Sequence, residues 1–390
     1  MNGFGRMDVV VHLLAVTIAS SSVAFGVGGL RAHASSTRAR VGDTGEQVYR
    51  STCAACHGAN GRGAEKTTVG FDVSLPDFTD CNFASREANP DWTAIVRDGG
   101  PVRGFTRIMP AFRDLLTPEQ IKSVIGYIRR FCSDRKWPRG ELNVPLASVT
   151  EKAFPEDELV LTSAVNTSGP ALIENHAIVE KRFGARDQLE LDVPFGFLER
   201  PGRSWAGGLG DLSVAEKHVF VGNLASGRIV SALGGFVLPT GNESVGLTSG
   251  TTAFEAYLLG AQLLPARSFL QVQGGAEMPF DHARASSSAA WSAALGTTIP
   301  FGPITRIWSP MIEVTGAREL TSGAPAMWDI VPQFQISLSA LQHVRASLGV
   351  DVPLTQRDGR STELRFYVLW DTYDGPLLSG WKGWCPGCEH

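Results

Sequence analysis

The chain has 390 residues, with 35 Lys and Arg against 39 Asp and Glu and a formal net charge of −4. At ~100–200 residues per domain there is room for about two domains, so one site need not account for the whole chain. With no basic excess and no polybasic run, nucleic acid is excluded as a partner.

Residues 1–34 open on a short head with Arg6, run through an apolar core from about Val9, and end at Ala32-His33-Ala34, a small-x-small cleavage pattern. An export signal is predicted there. The alternative is an uncleaved membrane anchor, since the core is long and diluted by Gly and Ser. Asp8 is unusual so early, which makes Met7 a second candidate start. On either reading the remainder is exported to a compartment where free thiols do not persist.

Six cysteines form three pairs: Cys53 and Cys56, Cys81 and Cys132, Cys385 and Cys388. In "STCAACHGANGRG" (51–63) the first pair is followed at once by His57, the pattern of c-type haem attachment. Two thioethers would fix one haem c, and the His57 imidazole would reach the iron. Met/His ligation is the usual electron-transfer pair. Met109 is the only Met between residues 8 and 277, and Pro110 fixes the loop "RIMPAF" that presents it. Cys53, Cys56, His57 and Met109 are therefore the expected haem residues.

Helical patterns surround this core in "TGEQVYRST", "PDWTAIVRDG" (90–99) and "TPEQIKSVIGYIRRFC" (117–132). The last begins with Thr117 as N-cap and Pro118 at the first helical position, and carries the apolar stripe Ile121, Val124, Ile125, Ile128 and Phe131. Residues 43–137 resemble a single-haem, class I type cytochrome c domain. Gly45 and Tyr49 match the positions where that family's first helix crosses its last, with Tyr127 as aromatic partner. The resemblance implies single-electron transfer and no catalysis. Over residues 40–140, 15 basic residues face 12 acidic ones, too even to name a docking partner by charge. Cys81 and Cys132 are not ligands in this scheme, and a disulfide tying the loop to the last helix is expected.

Residues 138–157 carry three prolines and no periodicity and read as a linker. From 158 to 375 the texture alternates at period two. Leu189, Leu191, Val193, Phe195 and Phe197 oppose Glu190, Asp192, Pro194 and Gly196; Leu270, Val272, Ala276, Met278 and Phe280 oppose Gln271, Gln273 and Glu277; Trp328, Ile330, Phe334, Ile336 and Leu338 oppose Asp329, Gln333, Gln335 and Ser337. Such long strands suit a transmembrane barrel, which needs ~9–11 residues per crossing. Aromatics including Phe195, Trp205, Phe236, Tyr257, Phe280, Trp291, Phe301, Trp308, Trp328, Trp370 and Tyr373 sit towards strand ends, as interfacial girdles do. The predicted fold class is multidomain: an all-α cytochrome c domain followed by an antiparallel transmembrane β-barrel of about 10–12 strands. A soluble β-sandwich is the alternative.

"GGLGDLSVAEKHVFV" (207–221) looks like the Gly-Leu-Gly-Asp strand signature of outer-membrane transporter-like proteins of aromatic-compound degradation, with His218 and Val219 departing from the usual Tyr-Arg. The domain order resembles the fused monohaem cytochrome–porins of iron-oxidising bacteria. These resemblances imply the outer membrane, with lipid and the barrel-assembly machinery as partners, and a periplasmic cytochrome domain that meets an electron carrier or redox enzyme there. A soluble periplasmic protein is the alternative.

The tail 376–390 ends in Cys385-Pro-Gly-Cys388, expected as a local disulfide, with a metal or thiol-exchange site second; His390 comes too late for a second haem motif. His176, His218, His282 and His343 are expected on separate strands, as lumen or girdle residues. No zinc-protease, phosphate-loop or nucleophile-elbow motif is present, so no catalytic residue is expected. The predicted function is outer-membrane electron transfer through one haem, with a small or metal donor or acceptor. A porin for apolar or aromatic solutes is the alternative.

Overall fold

The computed structural model describes residues 43–381 apart from 201, 203 and 302–305. The export signal and the Cys385-x-x-Cys388 tail lie outside the described residues.

The N-terminal domain is helical: α1 (Gly45–Val48), a π-turn (Tyr49–Cys53), α2 (Ala54–His57), α3 (Lys66–Val69), α4 (Cys81–Ala84), α5 (Asn89–Asp98) and α6 (Pro118–Ile128). Thr44 and Thr117 each begin a helix with a full capping box, their hydroxyls accepting from Gln47 and Gln120 and those side chains reaching back. Where α1 crosses α6 the backbones touch, since a Cβ on Gly45 would lie 2.2 Å from the Ser123 carbonyl oxygen. Val48, Tyr49, Trp92, Val96, Ile121, Val124, Ile125 and Ile128 form one buried apolar cluster. Cys81 and Cys132 are joined by a disulfide that ties the start of α4 to the chain after α6.

Beyond this domain run fourteen strands: β1 (Glu158–Asn166), β2 (Leu172–Phe183), β3 (Asp187–Arg200), β4 (Ser204–Leu209), β5 (Leu212–Asn223), β6 (Arg228–Leu238), β7 (Ala253–Leu263), β8 (Ser268–Pro279), β9 (Ser288–Thr297), β10 (Ile299–Phe301), β11 (Arg306–Glu319), β12 (Met327–Ser337), β13 (Val344–Pro353) and β14 (Glu363–Asp371). β4 and β5 both pair with β3, and β9 and β10 both pair with β11, so the fourteen make twelve staves. Each pairs antiparallel with its sequence neighbour, and β14 closes on β1 through the register Glu158↔Asp371 to Asn166↔Glu363. Closure rules out the β-sandwich alternative, which requires two sheets with free edges.

Polarity is inverted. Leu161, Leu189, Val214, Leu258, Val272, Leu295, Ile312, Leu348 and Phe366 stand exposed on the outer face, while Glu180, Gln188, Lys217, Gln271, Glu313, Gln333 and Asp371 are buried inside. Only a solvent of hydrocarbon makes that arrangement favourable. The girdle aromatics mostly pair as expected: Phe301 stacks on Trp308 at 4.4 Å near one rim, and Trp291 meets Trp328 edge-on at 5.4 Å near the other. Tyr257 and Tyr373 do not belong to a girdle. The first packs against the interior cluster and the second, beyond β14, lies under the Arg86 guanidinium.

Residues 138–157 connect the domains as expected, but they run through the lumen rather than outside it. Leu142, Val144, Ala147, Ala153 and Phe154 pack on Ala215, Val219, Ile229, Leu233, Leu259, Phe269, Ala294 and Met311, so the β5–β11 half of the interior holds an apolar cluster among its polar groups. The plug's polar groups bond to the wall. Thr150 donates backbone and side chain to Glu313, Ser148 bonds Gln333 at 2.9 Å, Gln271 donates to the Pro145 carbonyl at 2.8 Å and Tyr367 to that of Leu146 at 2.5 Å. A cavity of about 50 Å³ lined by Ser148, Thr162, Glu174, His176 and Arg365 leaves room for a few waters.

Candidate functional site

The expected haem residues converge on the apolar cluster of the N-terminal domain. Cys53 ends the π-turn, Cys56 and His57 follow on α2, and the Tyr49 hydroxyl donates to the Gly58 carbonyl at 2.7 Å, holding the end of the motif. Cys53 and Met109 both pack into the cluster that contains Phe78, Trp92 and Phe112. The His57 ring centroid is 5.0 Å from that of Phe78, whose ring lies 5.5 Å from Trp92.

Met109 is held against α5 by backbone bonds. Gly100 donates to the Met109 carbonyl at 2.9 Å and Phe112 to that of Val96 at 3.0 Å. Gly99 permits the close approach: its φ is +83°, and a Cβ there would stand 3.0 Å from the Met109 oxygen.

Protonation also suits ligation. Burial holds the His57 imidazole below its usual range, so the ring is neutral and free to coordinate. Burial and the neighbouring Cys56 thiol push Cys53 up to about 12. Both thiols are free, in contrast to the bridged Cys81 and Cys132. The His57 Nδ1 is buried with no hydrogen-bond partner. Two unpaired thiols one helical turn apart, a neutral imidazole with an orphan nitrogen and a thioether in the same cluster are the donor set that haem c requires.

Sequence reasoning missed the aromatic wall of Phe78, Phe83 and Trp92, and Arg129, whose guanidinium covers Trp92 at 3.6 Å. It also missed the junction with the barrel. Arg86 pairs with buried Asp157 at 2.5 Å and lies 3.6 Å over the Tyr373 ring, while Gly140 donates to the Ser85 carbonyl at 2.6 Å. Glu87 hydrogen-bonds Asp374 across the same seam. Burial, then Asp91 and Asp371, raise Glu87 to about 7. No local pattern marks such partners: Arg86 and Asp157 are 71 positions apart in the chain, and Tyr373 and Asp374 lie much farther still.

The barrel histidines do not converge on one site. His176 bonds Asp192 inside the lumen at 2.7 Å, and His218 bonds Asp187 on the outer face at 2.5 Å. His282 and His343 are not on strands. His282 is exposed in the loop 280–287, and buried His343 bonds Ser339 and the Pro376 carbonyl, holding the turn before β13. In the Gly-Leu-Gly-Asp motif, Gly210 and Asp211 separate β4 from β5, and Asp211 accepts from the Gly241 and Ser249 amides, pinning the long loop 239–252.

Residues 40–128 match the family model described as cytochrome C oxidase, cbb3-type, subunit III. This segment is a cytochrome c domain, and haem c is its cofactor. No curated protein matches the chain. Among solved structures, an outer membrane channel from Pseudomonas putida F1 is 14% identical, covering 58% of this chain and 99% of its own, with a TM-score of 0.43. The KdgM porin is 11% identical over 55% of this chain and 98% of its own (TM-score 0.35), and the NanC porin 10% over 54% and 97% (TM-score 0.38). The barrel assignment itself rests on closure and inverted polarity.

Proposed function

We propose that the protein is an outer-membrane electron carrier. Cys53 and Cys56 hold one haem c by thioethers, His57 and Met109 serve as axial ligands, and the barrel anchors the domain at the periplasmic rim. The observation that carries this reading is the pair of free thiols beside a partly buried His57 whose Nδ1 has no hydrogen-bond partner, in a domain clamped to a closed barrel. When bound, the haem supplies one-electron chemistry.

Orientation is supported by the loops. At the rim bearing the cytochrome domain the connections are short (184–186, 224–227, 264–267, 338–343), while the opposite rim carries 239–252, 280–287 and 354–362. Outer-membrane barrels place short turns in the periplasm. Phe105, Ile108 and Leu115, exposed around the Met109 loop, suit contact with a periplasmic redox protein. The plug disfavours both the porin reading and a metal donor arriving through the lumen.

The test is expression with haem-maturation machinery, separation of outer membrane from soluble periplasm, and a haem-stained gel with and without boiling. A haem-positive outer-membrane band whose mobility shifts on boiling, with one haem per chain by pyridine haemochrome, is expected. A soluble, unshifted haem band would sink the proposal.

A further inference from the structure

Three carboxylates meet where the plug passes β2 and β3: Glu151 from the plug, Glu180 from β2 and Glu190 from β3. One oxygen from each lies within 4.8 Å of the others. The ammonium beside them is Lys217 of β5, 2.5 Å from Glu151 and 3.6 Å from Glu180. Counted as carboxylates, the three face one ammonium and leave an excess of two negative charges in a partly buried interior. Gln188 donates to Glu180 at 2.8 Å and to Glu190 at 3.4 Å, and Glu190 contacts Glu151 directly.

A second observation points to a missing ligand. The Glu180 side chain is only 7% exposed, yet its Oε2 has no hydrogen-bond partner among the described residues. A buried carboxylate oxygen left bare among other carboxylates is unfavourable unless a cation meets it.

The neighbouring triad is better compensated in charge, although its Glu158 Oε2 likewise has no hydrogen-bond partner. Glu156, Glu158 and Asp371 form a similar buried group, and there the plug's own Lys152 sits between two of them, 2.7 Å from Glu156 and 2.9 Å from Glu158. Arg345 adds a second positive charge beside Glu158 and Asp371. At Glu151, Glu180 and Glu190 the adjacent ammonium is Lys217 alone, with Lys152 acting on Glu180 from the other triad.

We propose that Glu151, Glu180 and Glu190 bind one divalent, oxygen-preferring cation of the calcium class, which crosslinks the plug to the wall. The donors are carboxylate oxygens without nitrogen or sulfur, which selects a hard ion. Two charges match the excess. Glu151 is 27% exposed, so water can complete the shell from the open side.

The experiment is calorimetric titration of the full-length folded protein with CaCl2 after EGTA treatment. One calcium per chain is expected, with affinity at least tenfold weaker in Glu180→Gln and Glu190→Gln and unchanged in Glu277→Gln, another inward-facing carboxylate. Retention of the boiling-dependent gel shift reports that each variant is folded. Because binding stabilises only the folded state, the wild-type thermal midpoint should rise with CaCl2 and fall back with EGTA. No binding at millimolar calcium, or affinity unchanged in both Gln variants, overturns the proposal. The excess charge is then carried as protons.

Discussion

In the cytochrome domain the residues with no exposed surface are Val48, Tyr49 and Val124; in the barrel they include Gln188, Lys217, Gln271 and Glu313, while Leu258 and Leu348 are 64% and 60% exposed. The same chain buries apolar groups in one half and charged groups in the other. Water surrounds the first half and lipid the second, so each arrangement is the favourable one for its solvent. The plug belongs to both: its Phe154 and Leu142 pack as in a soluble core, and its Lys152 and Glu151 pair as in a lumen.

The largest expected effect separates the halves. Cys56→Ser should abolish stable covalent haem, read as loss of the stained band, while the barrel keeps its boiling-dependent shift. An unshifted barrel would mean that the two regions fold as one obligate unit.

Phe154→Ala removes the largest plug side chain, at a cost of ~3–5 kcal/mol of packing. Planar bilayers should be silent with the wild type and show openings with the variant. Current through the wild type would break the distinction between plug and linker.

Arg86→Ala leaves buried Asp157 paired with the exposed Lys181, 2.5 Å away, and should weaken docking by ~3 kcal/mol. Faster proteolytic release of the cytochrome domain is the readout.

Met109→Ala should lower the reduction potential by a fraction of the ~0.8 V range that axial ligands span. A spectrum and potential unchanged from wild type would remove Met109 from the iron.

The smallest effect is proton-linked docking. Glu87 is raised from 4.5 to about 7 by burial and by Asp91 and Asp371, and burial, Asp371 and Glu87 raise Asp374 as well. A carboxyl raised in the folded state contributes stability fully below its unfolded value and loses it as pH rises through the folded one. Hydrogen exchange at the seam should therefore be slower near pH 4.5 than above pH 7. Glu87→Gln should flatten that dependence.

Much of this was legible locally. The capping boxes at Thr44 and Thr117, the period-two strands and the Cys53-x-x-Cys56-His57 spacing are short-range patterns, and each reports chemistry that its neighbours enforce. The plug was not legible, because its bonds go to Gln188, Gln271, Glu313, Gln333 and Tyr367, spread over strands far along the chain. Three prolines without periodicity describe equally an exposed linker and an extended strand of chain lying in a lumen.

By itself the sequence determined the two kinds of local structure and the strand parity, and it named the residues expected to hold haem, since these follow from spacing and from which side chains water or lipid will accept. Only the tertiary structure decided that the sheet closes into twelve staves, that the connecting segment fills the lumen, and that Lys152 and Lys217 each meet two carboxylates there. Those outcomes depend on which distant groups share one enclosed space, where a single unpaired charge is too unfavourable to leave without a partner.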